Sequence, residues 1–170
     1  MQQVNFTICP GCGVHLIDKH LPPHQRYNAS GECAELYNQL SGYTMSVGDT
    51  FFIHQLAVDS YGAQHSGGVT KDITTFYALI GLCLAVEHNF SGRQVQLVHM
   101  KIPKQKWEKL NPPKQSASIT VATVLEADTD DKRDELIRAW AKSVWESWAE
   151  YHELIKKKAK EYTRDFSLFL

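Results

Sequence analysis

"TFFIHQLAVDSYGAQH", residues 50–65, carries an apolar stripe and a heavy polar load on one segment. Phe51, His54, Val58, Tyr61 and His65 recur at three- and four-residue spacing, which is one face of an α-helix. Asp49 supplies its cap, and Ser66-Gly67-Gly68 ends it. Upstream, Ser30 is an N-cap for a helix over about 31–41, with Cys33, Leu36, Tyr37 and Leu40 on one face and Ser41-Gly42 as its end. A loop this short makes the two helices an antiparallel hairpin. The start of the first then lies beside the end of the second, so Cys33 and His65 meet. His54 precedes His65 by eleven residues, about 16 Å along the axis at 1.5 Å per residue, near the far end of the first helix.

That hairpin end has a use. Residues 9–13, Cys-Pro-Gly-Cys-Gly, form half of a zinc ribbon, and the chain contains no second Cys-x-x-Cys. About twenty residues separate this knuckle from Cys33, enough to fold back over the hairpin. The spacing therefore predicts a zinc site of Cys9, Cys12, Cys33 and His65. His20 or His24, within the arm itself, is the alternative fourth ligand. Cys83, inside "LIGLCLAV", reads as core. A redox couple of Cys9 and Cys12 competes with the metal reading but lacks the βαβ context of such motifs. Three thiolates and an imidazole close the coordination sphere, as in structural zinc sites.

The rest of the chain reads as helix. A nearly all-apolar third helix covers about 71–88, "RQVQLVHM" is a candidate short helix, and "SITVATVLEA" (118–127) is a short helix capped by Ser118. The acidic run at 128–131 opens a long final helix to about Thr163, with Trp140, Val144, Trp145, Trp148 and His152 in one stripe. The expectation is a single all-α domain: a bundle of about five helices over 30–170, with a zinc-clipped irregular arm, 1–29, packed on it.

Composition narrows the partners. With 18 Lys and Arg against 19 Asp and Glu in 170 residues, nothing electrostatic favours nucleic acid or an anionic membrane. The run "KKKAK" (156–160) reads as a solvated helix end. No stretch approaches the length of a membrane span, the N-terminal residues lack a secretion signal, and four cysteines without one suit a reducing cytoplasm.

Five polar residues are candidates for a pocket or for supporting the ligands: His54, Asp59, Tyr61, Gln64 and His152. Asp59 lies about 140° around the helix from His54, off the stripe, and reads first as a surface or helix-bridging carboxylate. The alternatives are a general base, a partner hydrogen-bonded behind the metal ligands, or an anchor accepting N–H groups of the arm. His54, Tyr61 and His152 are read as lining an interhelical pocket, where a second metal would need His88 or His99. Two functions follow: a zinc-clipped module binding a small molecule or a protein, or a metal-dependent enzyme acting on a small substrate in that pocket. No Ser-His-Asp set, phosphate loop or His-Glu-x-x-His helix supports the enzyme, and no catalytic residue is assigned.

The segments "CPGCG", "YNASGECAELY", "HQLAVDSYGAQHSGG", "LIGLCLAVEH", "ITVATVLEA" and "WAKSVWESWAEYH" occur in that order. In this the chain resembles a family of uncharacterised bacterial proteins, the domain of unknown function numbered 5946, along nearly its whole length. The resemblance matches the family's cysteines to Cys9, Cys12 and Cys33, and its helix residues to His54, Asp59, Tyr61, Gln64 and His65. It implies a shared metal-binding pattern and no activity. Ser66 stands where the family usually has proline, and Ala34 where an aromatic is common.

Overall fold

A computed structural model describes residues 4–164. Among these, seven α-helices and one two-stranded sheet account for the regular structure: β1 (Phe6–Ile8), β2 (His15–Ile17), α1 (Gly31–Val47), α2 (Ile53–Gln64), α3 (Asp72–His88), α4 (Gly92–Lys101), α5 (Val121–Leu125), α6 (Asp130–Ser147) and α7 (His152–Tyr162). The molecule is a predominantly helical bundle, as the periodicities indicate. None of these helices is long and apolar enough to cross a membrane.

The arm is more ordered than its sequence suggests. β1 and β2 pair antiparallel, Phe6 opposite Ile17 and Ile8 opposite His15, with the cysteine knuckle as their turn. Each strand has three residues, too few for an alternating pattern to stand out.

Ser30 caps α1, its hydroxyl accepting from the Cys33 N–H at 3.2 Å. Ser41-Gly42 does not stop this helix. It runs on to Gly48, whose φ of 61° provides the left-handed stop. Asp49 then accepts the Ile53 N–H, 3.0 Å, at the start of α2. The cap of α5 is Thr120 rather than Ser118. The predicted long final helix is two, because the chain leaves α-geometry at Trp148 and makes a 3-10 turn, Ala149–Tyr151, before α7.

α2 packs against α1, α3, α4 and α6. Its polar residues are buried with its apolar ones, Gln55, Asp59, Ser60 and Gln64 included. Internal hydrogen bonds must therefore compensate for lost water around them. The Gln64 amide donates to the Ile119 carbonyl at 2.8 Å and accepts from the Trp140 indole N–H at 2.9 Å, joining α2 to α6 and to the residue before α5's cap.

Candidate metal centre

The hairpin and the arm bring four ligand atoms together. The sulfurs of Cys9, Cys12 and Cys33 and a ring nitrogen of His65 all lie within 4.8 Å of one another, and all four residues are buried. Among the described residues this is the group of His, Cys, Asp or Glu that can hold a metal ion.

Backbone geometry builds the site from the knuckle upward. Cys9 donates its N–H to the Val14 carbonyl and accepts the Gly13 N–H, both at 2.9 Å, closing a turn in which Gly13 takes a φ of 74°. Gly11 is required for a different reason: a Cβ there would stand 2.4 Å from the Asn28 carbonyl oxygen and 2.6 Å from the His65 ring. The knuckle thus lies directly on the end of α2.

His65 is held on every side. Its Nδ1 lies 2.8 Å from the Tyr61 carbonyl, so Nδ1–H donates there and Nε2 keeps its lone pair for the site. Its own carbonyl accepts the Asn28 N–H at 3.0 Å and the Thr70 hydroxyl at 2.6 Å, tying it to the arm and the loop beyond. Tyr61 stacks between Tyr37 and the His65 ring, with centroid separations of 3.9 Å on both sides, and its hydroxyl donates to the Cys33 sulfur at 3.7 Å.

The distances suit a tetrahedral ion. Zn–S bonds of about 2.3 Å and a Zn–N bond of about 2.0 Å imply S···S edges of about 3.8 Å and S···N edges of about 3.5 Å. Cys12 Sγ is 3.8 Å from Cys33 Sγ, and Cys33 Sγ is 3.4 Å from His65 Nε2. All four cysteines are free thiols, and 3.8 Å is far beyond a disulfide bond. Hydrogen bonds from Cys12 and Cys33 drive the Cys9 thiol strongly down, while bonds to Cys12 and Cys9, with burial, drive Cys33 strongly up. A dication held by these sulfurs would favour the thiolate form of all three.

The remaining candidates are dispersed. His20 is exposed and beside Asp18, and the His24 Nδ1 accepts the Arg26 and Tyr27 N–H groups, so neither joins the cluster. His54 hydrogen-bonds the Thr44 hydroxyl at 2.8 Å near the far end of α1. His152 stacks on Trp145, centroids 3.9 Å apart, and donates from Nε2 to the Trp145 carbonyl at 2.9 Å. His54 and His152 are thus each engaged within their own neighbourhood. Cys83 is fully buried in the core, as its apolar context indicates.

Asp59 keeps the helix-bridging half of its first reading and loses the surface half. It is neither a surface residue nor an anchor for the arm but lies buried against α3, where a Cβ on Gly81 would come 2.0 Å from its Oδ2. Gln55 Nε2 donates to Oδ1 at 3.0 Å. The anchoring role belongs to Glu32, whose Oε1 accepts the Lys19 and Leu21 N–H groups at 3.1 Å each. The bond from Leu21 does most to hold the Glu32 carboxyl below the usual carboxylate range. The signal for Asp59 was present in Gln55 one turn earlier and in a lone glycine, Gly81, amid the most apolar helix.

Burial raises the Asp59 carboxyl well above the usual range, against a smaller opposing effect of the Gln55 amide. A raised folded-state value gives stability that is present below the unfolded value and lost as pH rises through the folded one. At neutral pH the native protein carries that loss, and Asp59→Asn cannot. The variant is expected to melt higher than the native protein at pH 8, by about 2–4 °C per kcal/mol recovered. The difference should vanish towards about pH 4, where the unfolded carboxyl is also protonated. Parallel melting curves across that range check it, and a variant destabilised at pH 8 would refute it.

The comparisons with known proteins give a family and no function. A family model, the family of unknown function DUF5946, matches residues 7–149. The chain belongs to that family. No curated protein and no solved structure matches it.

Proposed function

We propose that the protein is a zinc-clipped helical binding module, in which one zinc ion held by Cys9, Cys12, Cys33 and His65 fastens the N-terminal arm to the α1–α2 hairpin. The observation that carries this reading is the convergence of three buried sulfurs and one oriented imidazole nitrogen within 4.8 Å, with the Cys12–Cys33 and Cys33–His65 separations those of a tetrahedral site. Sulfur-rich ligation favours zinc over harder divalent ions, and free buried thiols suit a reducing cytoplasm. When bound, the ion supplies cross-linking free energy between segments distant in sequence. The chain's own residues do the rest. Glu32 holds the arm's backbone, Asn28 and Thr70 hold the His65 carbonyl, and the Tyr61 carbonyl sets the imidazole tautomer. Four protein ligands leave no position for a reacting water, which favours a clip over hydrolytic chemistry.

Elemental analysis with metal-edge X-ray absorption on the purified protein tests this. The expected result is one zinc per chain with three sulfurs and one nitrogen. An oxygen in the inner sphere, or a second metal without sulfur, would turn the reading towards the enzyme. His54→Ala separates the two histidines of α2. It is expected to keep full zinc and to cost about 1 kcal/mol for the bond to Thr44, measured by thermal unfolding. Loss of zinc in that variant would show the wrong histidine has been chosen.

A further inference from the structure

A second feature lies between α2 and α3, apart from the four ligands. A cleft of about 360 Å³ opens there, lined by Asp59 and Gln55, by the rings of Tyr27, Tyr77 and His99, and by small or apolar residues including Gly62. Its size falls within the range of small-molecule sites.

Its chemistry is lopsided. Asp59 is 4% exposed, and none of the residues lining the cleft is lysine or arginine. Gln55 satisfies one carboxyl oxygen, and the other is backed by the bare Gly81 backbone. Burying an acid without a cation costs stability, and a hydrophobic or amide side chain would fill this position without that cost. Two tyrosine rings line the same walls, and an aromatic ring attracts positive charge through its quadrupole. His99 adds no cation: its Nε2 donates to the Tyr77 carbonyl at 2.9 Å, and burial keeps the ring neutral. A ligand that completes this site carries a positive nitrogen for Asp59 and an apolar body for the walls.

We propose that the α2–α3 cleft binds a small organic cation, a primary amine on an apolar or aromatic body, with Asp59 as its counter-ion and Tyr27 and Tyr77 as its walls. This rests on the binding-module half of the reading above. It meets the zinc clip at one point, since Tyr27 belongs to the arm and packs edge-on against Tyr61, 5.3 Å between centroids.

The test uses the full-length protein, with zinc content measured on every sample, and benzylamine as the probe against neutral benzyl alcohol. Titration followed by amide NMR should show saturable shifts at Gly62 and Gly81 with benzylamine. Benzyl alcohol should bind at least tenfold more weakly. Asp59→Asn, which keeps the shape and the Gln55 contact, should lose at least tenfold in benzylamine affinity. Ile73→Lys, at a lining position 43% exposed, should weaken it too, by placing a like charge at the rim without touching the core. Equal binding of the alcohol, full binding by Asp59→Asn, or shifts away from both glycines would overturn the assignment. Zinc-loaded protein that ignores benzylamine would refute the cleft and leave the clip standing. Protein that binds benzylamine without zinc would do the reverse.

Discussion

Cys33→Ser is expected to empty the metal site and to lower the melting temperature by about 10–15 °C. The serine hydroxyl does not ionise near neutral pH, and zinc in a sulfur-rich site needs the thiolate. Cys33 is the ligand that belongs to α1, fully buried, 3.8 Å from Cys12 and 3.4 Å from His65, and it accepts the Tyr61 hydroxyl. Its loss detaches the knuckle from the hairpin and leaves buried thiols with no cation to share. Structural zinc sites supply an apparent binding free energy of about 10–16 kcal/mol at neutral pH. Loss of even about 4 kcal/mol of it moves the midpoint by this much in a chain of this size. Zinc stoichiometry and thermal unfolding, with and without a chelator, measure both halves. Native protein should fall towards the variant when chelated, while the variant should not respond. Full zinc and an unchanged midpoint in Cys33→Ser would remove the clip.

The geometry behind that expectation was legible for a simple reason. Antiparallel helices joined by a short loop have paired ends, so residue numbers translate into distances along an axis. Cys33 and His65 meet at one end, while His54 finds Thr44 near the other, as an eleven-residue offset requires. Asp59 was harder. Angular position showed that it faces a different neighbour from His54, but not whether that neighbour is water or a helix. The deciding fact is a glycine twenty-two residues away that makes room for a carboxylate, and no local pattern reports such a pairing. The length of α1 was misread because Ser41-Gly42 is a weak stop within a helix already stabilised by packing. The break at Trp148 has no proline or glycine to announce it.

Trp140→Phe carries the second large effect, because it removes a buried donor as well as volume. The indole is fully buried, and its N–H donates to the side-chain amide oxygen of Gln64, one residue before the ligand His65. Phenylalanine leaves a partial cavity, and it takes the indole donor away from a buried amide oxygen. Together these cost about 2–4 kcal/mol, or about 5–15 °C in midpoint. Trp145→Phe makes the informative contrast. That indole N–H donates to Glu87, whose side chain is 36% exposed, so water can take the vacated place. The Trp145 variant should therefore fall less: beyond the lost volume it forfeits about 0.5–1.5 kcal/mol for a bond that water replaces, with no buried acceptor left unpaired. Zinc should remain stoichiometric in both, but a chelator should strip it faster from Trp140→Phe, since Gln64 adjoins His65. Equal midpoints for the two variants would mean that cavity volume alone sets the loss, and that the Gln64 bond contributes nothing to holding the end of α2 at the metal.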